Sequence, residues 1–239
     1  MIDLELDDGL AVITIDRPEA RNAISLATMG ELEKALDAAA GAGALVVRGA
    51  GDRAFVSGGD LKELAALRTE DEATGMALRM RQICDRIADF PAPVMAALNG
   101  HALGGGAEVA VAADIRVAAD DIKIGFTQST LAIMPAWGGA ERLADLVGRG
   151  RALLLAGTGV TLGAAEAERL GLLDRVLPRA EFDAGWRALA RSLATPPARA
   201  IKYVMNGGVG AEESARTFAR LWVADEHWAA VERATKRTR

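Results

Sequence analysis

The sequence predicts an α/β fold, and three observations predict it. Strand, turn and helix patterns succeed one another along the chain without a detectable internal repeat. Two glycine-rich turns, Ser57-Gly58-Gly59-Asp60 and Leu103-Gly104-Gly105-Gly106, each stand between an apolar strand and a helix. The 239 residues, 51% of them apolar, suit one globular core with a modest appendage rather than two large domains.

The elements follow in order. Leu10 to Asp16 alternates apolar and polar residues as a half-buried strand does, and Asp7-Asp8-Gly9 reads as the turn joining it to a strand over Ile2 to Leu6. A helix runs from Ser25 to Ala40, its Leu26, Met29, Leu32 and Leu36 recurring at helical spacing, which makes Met29 a core residue. Ala44 to Gly49 is a buried strand. Asp60 followed by Glu63 has the form of an N-cap with its reciprocal partner. The charged stretch from Thr69 to Asp89 is helical until Pro91-Ala92-Pro93 breaks it. Val94 to Leu98 is the strand that leads into the second glycine turn, and Asp114 to Ala118 is another, with Asp114 and Arg116 structural. From Gly148 the chain reads as helices over Arg149 to Ala156 and Gly163 to Leu170, the latter closed by Gly171. A strand from Leu172 to Leu177 comes next, then helices over Glu181 to Ala194, Pro197 to Asn206 and Ala211 to Arg233. Gly207-Gly208-Val209-Gly210 is the loosest stretch and the expected hinge.

The two turns also carry chemistry. A strand ending in glycines before a helix leaves backbone N–H groups uncovered, and these suit developing negative charge. One turn beyond Gly105 stands Glu108, the only carboxylate between Ala102 and Ala113. Burial of that run would raise its pKa toward the range of a general acid or base. A packing role for the glycines and a solvent-facing Glu108 are the alternative.

Composition closes off several other classes. A net charge of −5 and scarce aromatics argue against a nucleic-acid surface. One cysteine, Cys84, excludes an intramolecular disulfide, and two distant histidines, His101 and His227, make a zinc site improbable. No apolar run is long enough to span a bilayer, and the N-terminus has no basic region followed by an apolar one, so a cytoplasmic protein is expected. Ser57, His101 and Asp114 include the residue types of a hydrolytic triad, but no Gly-x-Ser-x-Gly elbow surrounds the serine. Gly104-Gly105-Gly106 lacks the spacing of a dinucleotide fingerprint, so no nicotinamide cofactor is implied.

Taken together, Arg17-Pro18-Glu19-Ala20-Arg21-Asn22-Ala23-Ile24-Ser25, Phe55 to Lys62 and Leu98 to Asp114 resemble the crotonase family, the enoyl-CoA hydratase and isomerase superfamily, over nearly the whole chain. The resemblance implies a crotonase-like spiral of β-β-α repeats, with a core domain over residues 1–194 and a C-terminal helical trimerisation region over residues 195–239. It implies an acyl-CoA thioester substrate, with coenzyme A part of that substrate and no separate cofactor, and a homotrimer or dimer of trimers. Gly59 and Gly105 match the two N–H donors of the family's oxyanion hole, and Glu108 the residue that transfers the proton. Ser57, Asp60 and Leu61 match the backbone that meets adenine and pantetheine. Arg21 matches a pantetheine contact, with a surface arginine in a turn as its alternative. Trp137 either walls the acyl pocket or fills core. Arg79, Arg81 and Arg86 form a solvated face or meet phosphate, and the basic end Lys236-Arg237-Thr238-Arg239 is a frayed tail or another phosphate contact.

The segment Ile124 to Gly139 resembles the family's second catalytic segment, in which hydratases hold a glutamate seven residues before the proline. Counting back from Pro135 gives Gln128. An amide orients water or substrate by hydrogen bonds but has no proton that titrates near neutrality. One carboxylate suffices to move a double bond and serves hydration less readily than a matched pair. Decarboxylation of a malonyl-type thioester needs the oxyanion hole most, and Pro135-Ala136-Trp137-Gly138-Gly139 resembles the Pro-Ser-Trp-Gly-Gly of some decarboxylase members. An acyl-CoA-transforming hydratase or isomerase is therefore expected, with a malonyl-type decarboxylase or an acyl-CoA binding protein of little turnover as alternatives. Phe218, Leu221, Trp222 and Trp228 give the C-terminal helices an apolar face that fits subunit association.

Overall fold

The computed structural model describes residues 1–237; Thr238, Arg239 and the Arg237 side chain, part of the basic end singled out above, lie outside the described residues. The chain opens with a hairpin of β1 (Ile2–Asp7) and β2 (Leu10–Ile15), turned through Asp8 and Gly9, both at positive φ. Helix α1 (Leu26–Ala38) starts where the Ser25 hydroxyl accepts the Thr28 amide at 3.1 Å. Strands β3 (Ala44–Gly49) and β4 (Ala54–Val56) follow, then the short α2 (Leu61–Leu64) and the long α3 (Glu70–Ala88). Next come β5 (Val94–Leu98), β6 (His101–Leu103) and α4 (Gly105–Ala112). Strands β7 (Ile115–Ala119) and β8 (Lys123–Gly125) precede a 3-10 turn over Thr127–Leu131, α5 (Gly139–Val147) and α6 (Arg149–Thr158). The remainder is β9 (Leu162–Gly163), α7 (Ala164–Arg169), β10 (Arg175–Leu177), α8 (Phe182–Leu193), α9 (Pro196–Met205), α10 (Ala211–Trp222) and α11 (Asp225–Arg237).

The strands form two sheets between which the chain alternates. One runs β1-β2-β3-β5-β7-β10 and the other β4-β6-β8-β9. Strands β3, β5 and β7 thus belong to the large sheet and their immediate successors β4, β6 and β8 to the small one, with helices closing the turns. This is the β-β-α spiral that the sequence resemblance implies. Apart from the β1 hairpin, neighbours in the large sheet are parallel, and its inner strands β2, β3, β5 and β7 are buried almost throughout. Strands β4, β6 and β8 are parallel neighbours too. The segments that follow them, Ser57 to Asp60, Gly104 to Gly106 and Phe126 to Gln128, therefore leave the small sheet from the same end, where open α/β sheets place their ligands.

Several elements differ from the sequence reading. The glycine turns are entered from β4 and β6, not from the long strands that end at Gly49 and Leu98. Asn99 makes the corner: it accepts the Gly49 amide at 2.9 Å and donates to Gly51 O at 2.8 Å, and a methyl on Gly100 would stand 2.3 Å from Ala54 N. Helix α5 lies over a stretch to which the sequence reading assigns no element. The strand expected over Leu172 to Leu177 shortens to β10, because the Leu172 and Leu173 amides both cap α7 by donating to Ala167 O. The single helix expected over Ala211 to Arg233 is two, broken after Trp222 where the chain folds back and sets His227 and Trp228 against the Trp222 ring at 4.7 and 5.5 Å. Asp60 caps α2 by accepting the Lys62 and Glu63 amides, but the reciprocal half is missing: Glu63 instead accepts the Leu26 amide at 2.9 Å. A complete capping box occurs at Thr69 and Glu72. Met29 lies in the core as expected; Cys84 is buried there too, and burial pushes its thiol up to about 12.

Candidate active site

Glu108 is 2% exposed and stands in the first turn of α4, enclosed by apolar neighbours. Its Oε2 accepts two backbone amides, from Trp137 at 2.7 Å and Gly139 at 3.0 Å, and its Oε1 accepts Gln128 Nε2 at 2.7 Å. Desolvation raises its pKa above the ordinary carboxylate value, and the three hydrogen bonds pull the other way without cancelling it. The sequence expectation of a raised pKa therefore holds, for the reason given.

Gly139 must be glycine for this arrangement: a methyl there would stand 2.4 Å from Glu108 Cγ. Arg142, on the first turns of α5, donates to Trp137 O at 3.2 Å and to Asp85 at 2.6 Å, so it ties the Trp137 segment to α3. Neither contact was legible in sequence. The only signal was a pair of glycines beside a tryptophan.

Glu108 opens onto a cavity of about 390 Å³ lined also by Ser57, Gly59, Leu61, Gly105, Gln128 and Trp137. Seven of the nine residues singled out in sequence thus share one cavity. Its remaining walls are largely apolar, with Leu64, Met76, Leu131, Ile133 and Met134 among them. The two glycine turns abut, since a methyl on Gly58 would stand 3.2 Å from Gly105 N. A methyl on Gly105 would stand 2.1 Å from the Trp137 ring, and one on Gly59 3.9 Å from the same ring. Trp137 is therefore both buried and a wall of the cavity. The bridge between Ile24 and Gly59 uses the Gly58 carbonyl and the Asp60 amide, and Gly105 is the first residue of its helix, so among the described residues neither the Gly59 nor the Gly105 amide donates a hydrogen bond.

Asp60 and Arg21 stand outside this cavity. The Asp60 carboxylate pairs with Arg17 at 2.8 Å, which holds it below the usual range. Arg21, at positive φ after the Pro18–Ala20 turn, lines a polar cleft of about 570 Å³ with Arg53, His101, Asp121 and Arg179. Ser57 lines both spaces, so they adjoin there; Asp52 also lines the polar cleft, and Arg179 is paired with Asp121.

Other candidates fall to structural work. Asp114 accepts the Val94 amide and pairs with Lys202 at 2.7 Å, while His101 Nδ1 accepts the Lys123 amide, so Ser57, His101 and Asp114 form no relay. Arg79, Arg81 and Arg86 are paired with Glu33, Glu141 and Asp37 and bind helices to each other. Arg116 is buried against Asp174 and the carbonyls of Ala113 and Leu172. Among the described residues, no group of three or more His, Cys, Asp or Glu is placed to hold a metal ion, and no helix is long and apolar enough to cross a membrane.

Known proteins are similar to this chain. The family model for enoyl-CoA hydratase/isomerase matches residues 5–220. A probable enoyl-CoA hydratase of Rhodobacter capsulatus is 41% identical over 201 residues, covering 84% of this chain and 77% of that protein. A short-chain-enoyl-CoA hydratase of Clostridium acetobutylicum is 34% identical over 202 residues, covering 83% and 77%. The solved enoyl-CoA hydratase of Bacillus anthracis superposes with a TM-score of 0.86 at 31% identity, over 100% of this chain and 96% of that one. With the fold, the motif positions and these matches in agreement, the chain belongs to the enoyl-CoA hydratase/isomerase family of the crotonase superfamily.

Proposed function

We propose that the chain transforms acyl-CoA thioesters through a stabilised enolate, with Gly59 and Gly105 as the oxyanion hole and Glu108 as the single proton-transfer carboxylate. The observation that carries this reading is the company Glu108 keeps: a buried carboxylate of raised pKa in one cavity with two unspent backbone amides from abutting turns. In this reading Glu108 Oε1 takes a proton from the substrate α-carbon and the C–H electron pair moves onto the thioester oxygen. Two N–H donors hold that charge, each worth about two to three powers of ten in rate. Return of the proton at the γ-carbon moves a β,γ double bond into conjugation; in hydration the same carboxylate takes a proton from water as the water oxygen bonds to the β-carbon and the C=C pair moves onto the thioester oxygen, and it then delivers that proton to the α-carbon.

The polar cleft supports the coenzyme A assignment. Arg21 and Arg53 line the cleft that adjoins the cavity at Ser57, where a phosphate-bearing arm would lie, and largely apolar side chains line the cavity, where an acyl chain would lie. Coenzyme A then enters as part of the substrate and no further cofactor is needed. Asp60 contributes through its backbone and by fixing α2, Leu61 by walling the cavity, and Gln128 by orienting substrate or water. Gln128 in place of a second acid favours isomerisation over hydration and also suits decarboxylation of a malonyl-type ester, where carbon dioxide leaves without a base. Residues 1–194 form the core in this reading and 195–239 a helical region whose exposed Phe218, Trp222 and Trp228 associate subunits into a cytoplasmic homotrimer or dimer of trimers.

Exchange of the α-hydrogens of butyryl-CoA for deuterium tests the reading. The wild-type chain should catalyse exchange, and Glu108→Gln should slow it by about a thousandfold. Tight binding of acyl-CoA without exchange, hydration or carbon dioxide release would make the chain a binding protein instead.

A further inference from the structure

The peptide that joins Trp137 to Gly138 stands between the two amides that hold Glu108 Oε2, those of Trp137 and Gly139. Its position decides whether both reach the carboxylate. Gly138 and Gly139 bring no side chains to fix this turn, and glycine is the residue freest to leave a given conformation. The hold comes from α5 and α3. Arg142 Nη1 donates to Trp137 O at 3.2 Å and Nη2 to Asp85 Oδ1 at 2.6 Å, and the guanidinium occupies the space of a Gly138 side chain, 2.3 Å from where a methyl would stand. One planar fork thus ties the peptide to α3. Asp85 also faces Arg81 Nε at 3.5 Å, so a single carboxylate stands between two guanidinium groups. Without it, two like charges would meet over Gly138 and drive Arg142 off Trp137 O.

The charges on the helices packed against α4 balance. Helix α3 brings Arg81, Cys84 and Asp85 and α5 brings Glu141 and Arg142; Arg81 pairs with Glu141, and the Cys84 thiol, pushed up to about 12, stays neutral. Strands β4 and β5 bring no titratable side chain, β6 brings only His101, which accepts the Lys123 amide, and the cavity adds the exposed Arg68. Each change of charge therefore acts on Glu108 with a definite sign. By charge alone, loss of Arg142 raises the Glu108 pKa and loss of Asp85 lowers it. Loosening of the peptide raises it in both cases, because the Trp137 and Gly139 hydrogen bonds lower it.

We infer that Arg142, anchored by Asp85, is a positioning residue that fixes the Trp137–Gly138 peptide, and so keeps Glu108 Oε2 occupied and Oε1 as the atom that exchanges protons with substrate. The inference rests on the enolate reading of the cavity. Neither Arg142 nor Asp85 lines that cavity, so both act through Glu108 rather than on substrate.

Deuterium exchange at the α-carbon of butyryl-CoA, followed across pH with the full chain, tests this in Arg142→Met and Asp85→Ala. In both variants the acidic limb of the profile should move upward by about one pH unit, and the plateau rate should fall at least about tenfold. Butyryl-CoA should still bind both, by titration calorimetry, as it binds wild type. An unmoved limb in a folded variant, limbs that move in opposite directions as the charge changes demand, or a loss of rate matched by a loss of binding would each overturn the inference. Asp85 is partly exposed, so its variant decides the matter even if Arg142→Met fails to fold: charge and clamp predict opposite shifts there. Exchange by wild type with unmoved limbs in the variants would overturn this inference alone, whereas absence of exchange by wild type would overturn the enolate reading and this inference with it.

Discussion

The amide of Gln128 and the carboxylate of Glu108 meet at 2.7 Å, and the meeting divides the work of the two carboxylate oxygens. Oε2 is occupied by the Trp137 and Gly139 amides, so a proton carried by Glu108 resides on Oε1, beside Gln128. Changing Gln128 to glutamate places a second carboxylate there. Repulsion between like charges then raises the apparent pKa of the pair further. We expect Gln128→Glu to move the acidic limb of the pH–rate profile upward and to increase crotonyl-CoA hydration at least about tenfold. Unchanged hydration and an unchanged profile would show that the amide does not steer the reaction.

Glu108 itself weakens the fold at neutral pH. Its folded-state pKa is raised, so the folded chain holds that proton to higher pH than the unfolded chain does. Stability from this group is therefore present below the ordinary carboxylate value of 4.5 and is lost as pH rises through the folded value. An amide side chain in its place would not titrate. We expect Glu108→Gln to unfold at a higher temperature than wild type near pH 8, with the difference shrinking toward pH 4 in thermal scans. A difference that grew on acidification would contradict the burial argument.

Gly105 and Trp137 are in backbone-to-ring contact, and a methyl at Gly105 would overlap the indole. Gly105→Ala should cost about 1–3 kcal/mol by denaturant titration, the usual range for overpacking, together with most of the activity. The same change in a Trp137→Leu background should cost less than half as much. Equal costs in both backgrounds would mean that the two residues do not touch.

Lys202 on α9 is buried against Asp114, which also accepts the Val94 amide. Asp114 is partly open to solvent, so loss of its partner is milder than for a fully enclosed pair. Lys202→Met should therefore destabilise the chain by about 1–3 kcal/mol, measured by denaturant titration. An unchanged midpoint would show that the pair does not anchor α9.

The legible and illegible parts of the chain divide along a physical line. Strands β2, β3 and β5 and helices α1 and α3 were readable because each carries its own period, buried run or cap. Glu108 was readable because one acid stood in an apolar run beside a glycine turn. Strands β4 and β6 were not, since three residues held in place by Asn99 and by backbone contact at Gly100 have no period to detect. The grip of Trp137 and Gly139 on Glu108 was likewise invisible, because it is made by backbone amides about thirty positions away. Arg79, Arg81 and Arg86 misled for a related reason: their acidic partners come from other helices, and spacing along α3 reveals none of them except the Asp85 neighbour of Arg81.

A crystal structure with butyryl-CoA bound tests most directly whether the amides of Gly59 and Gly105 close on a single oxygen. The thioester oxygen should lie within about 3 Å of both nitrogens, with the α-carbon facing Glu108 Oε1. An acyl-CoA whose thioester oxygen meets neither amide, or whose acyl chain lies outside the cavity, would contradict the proposed chemistry.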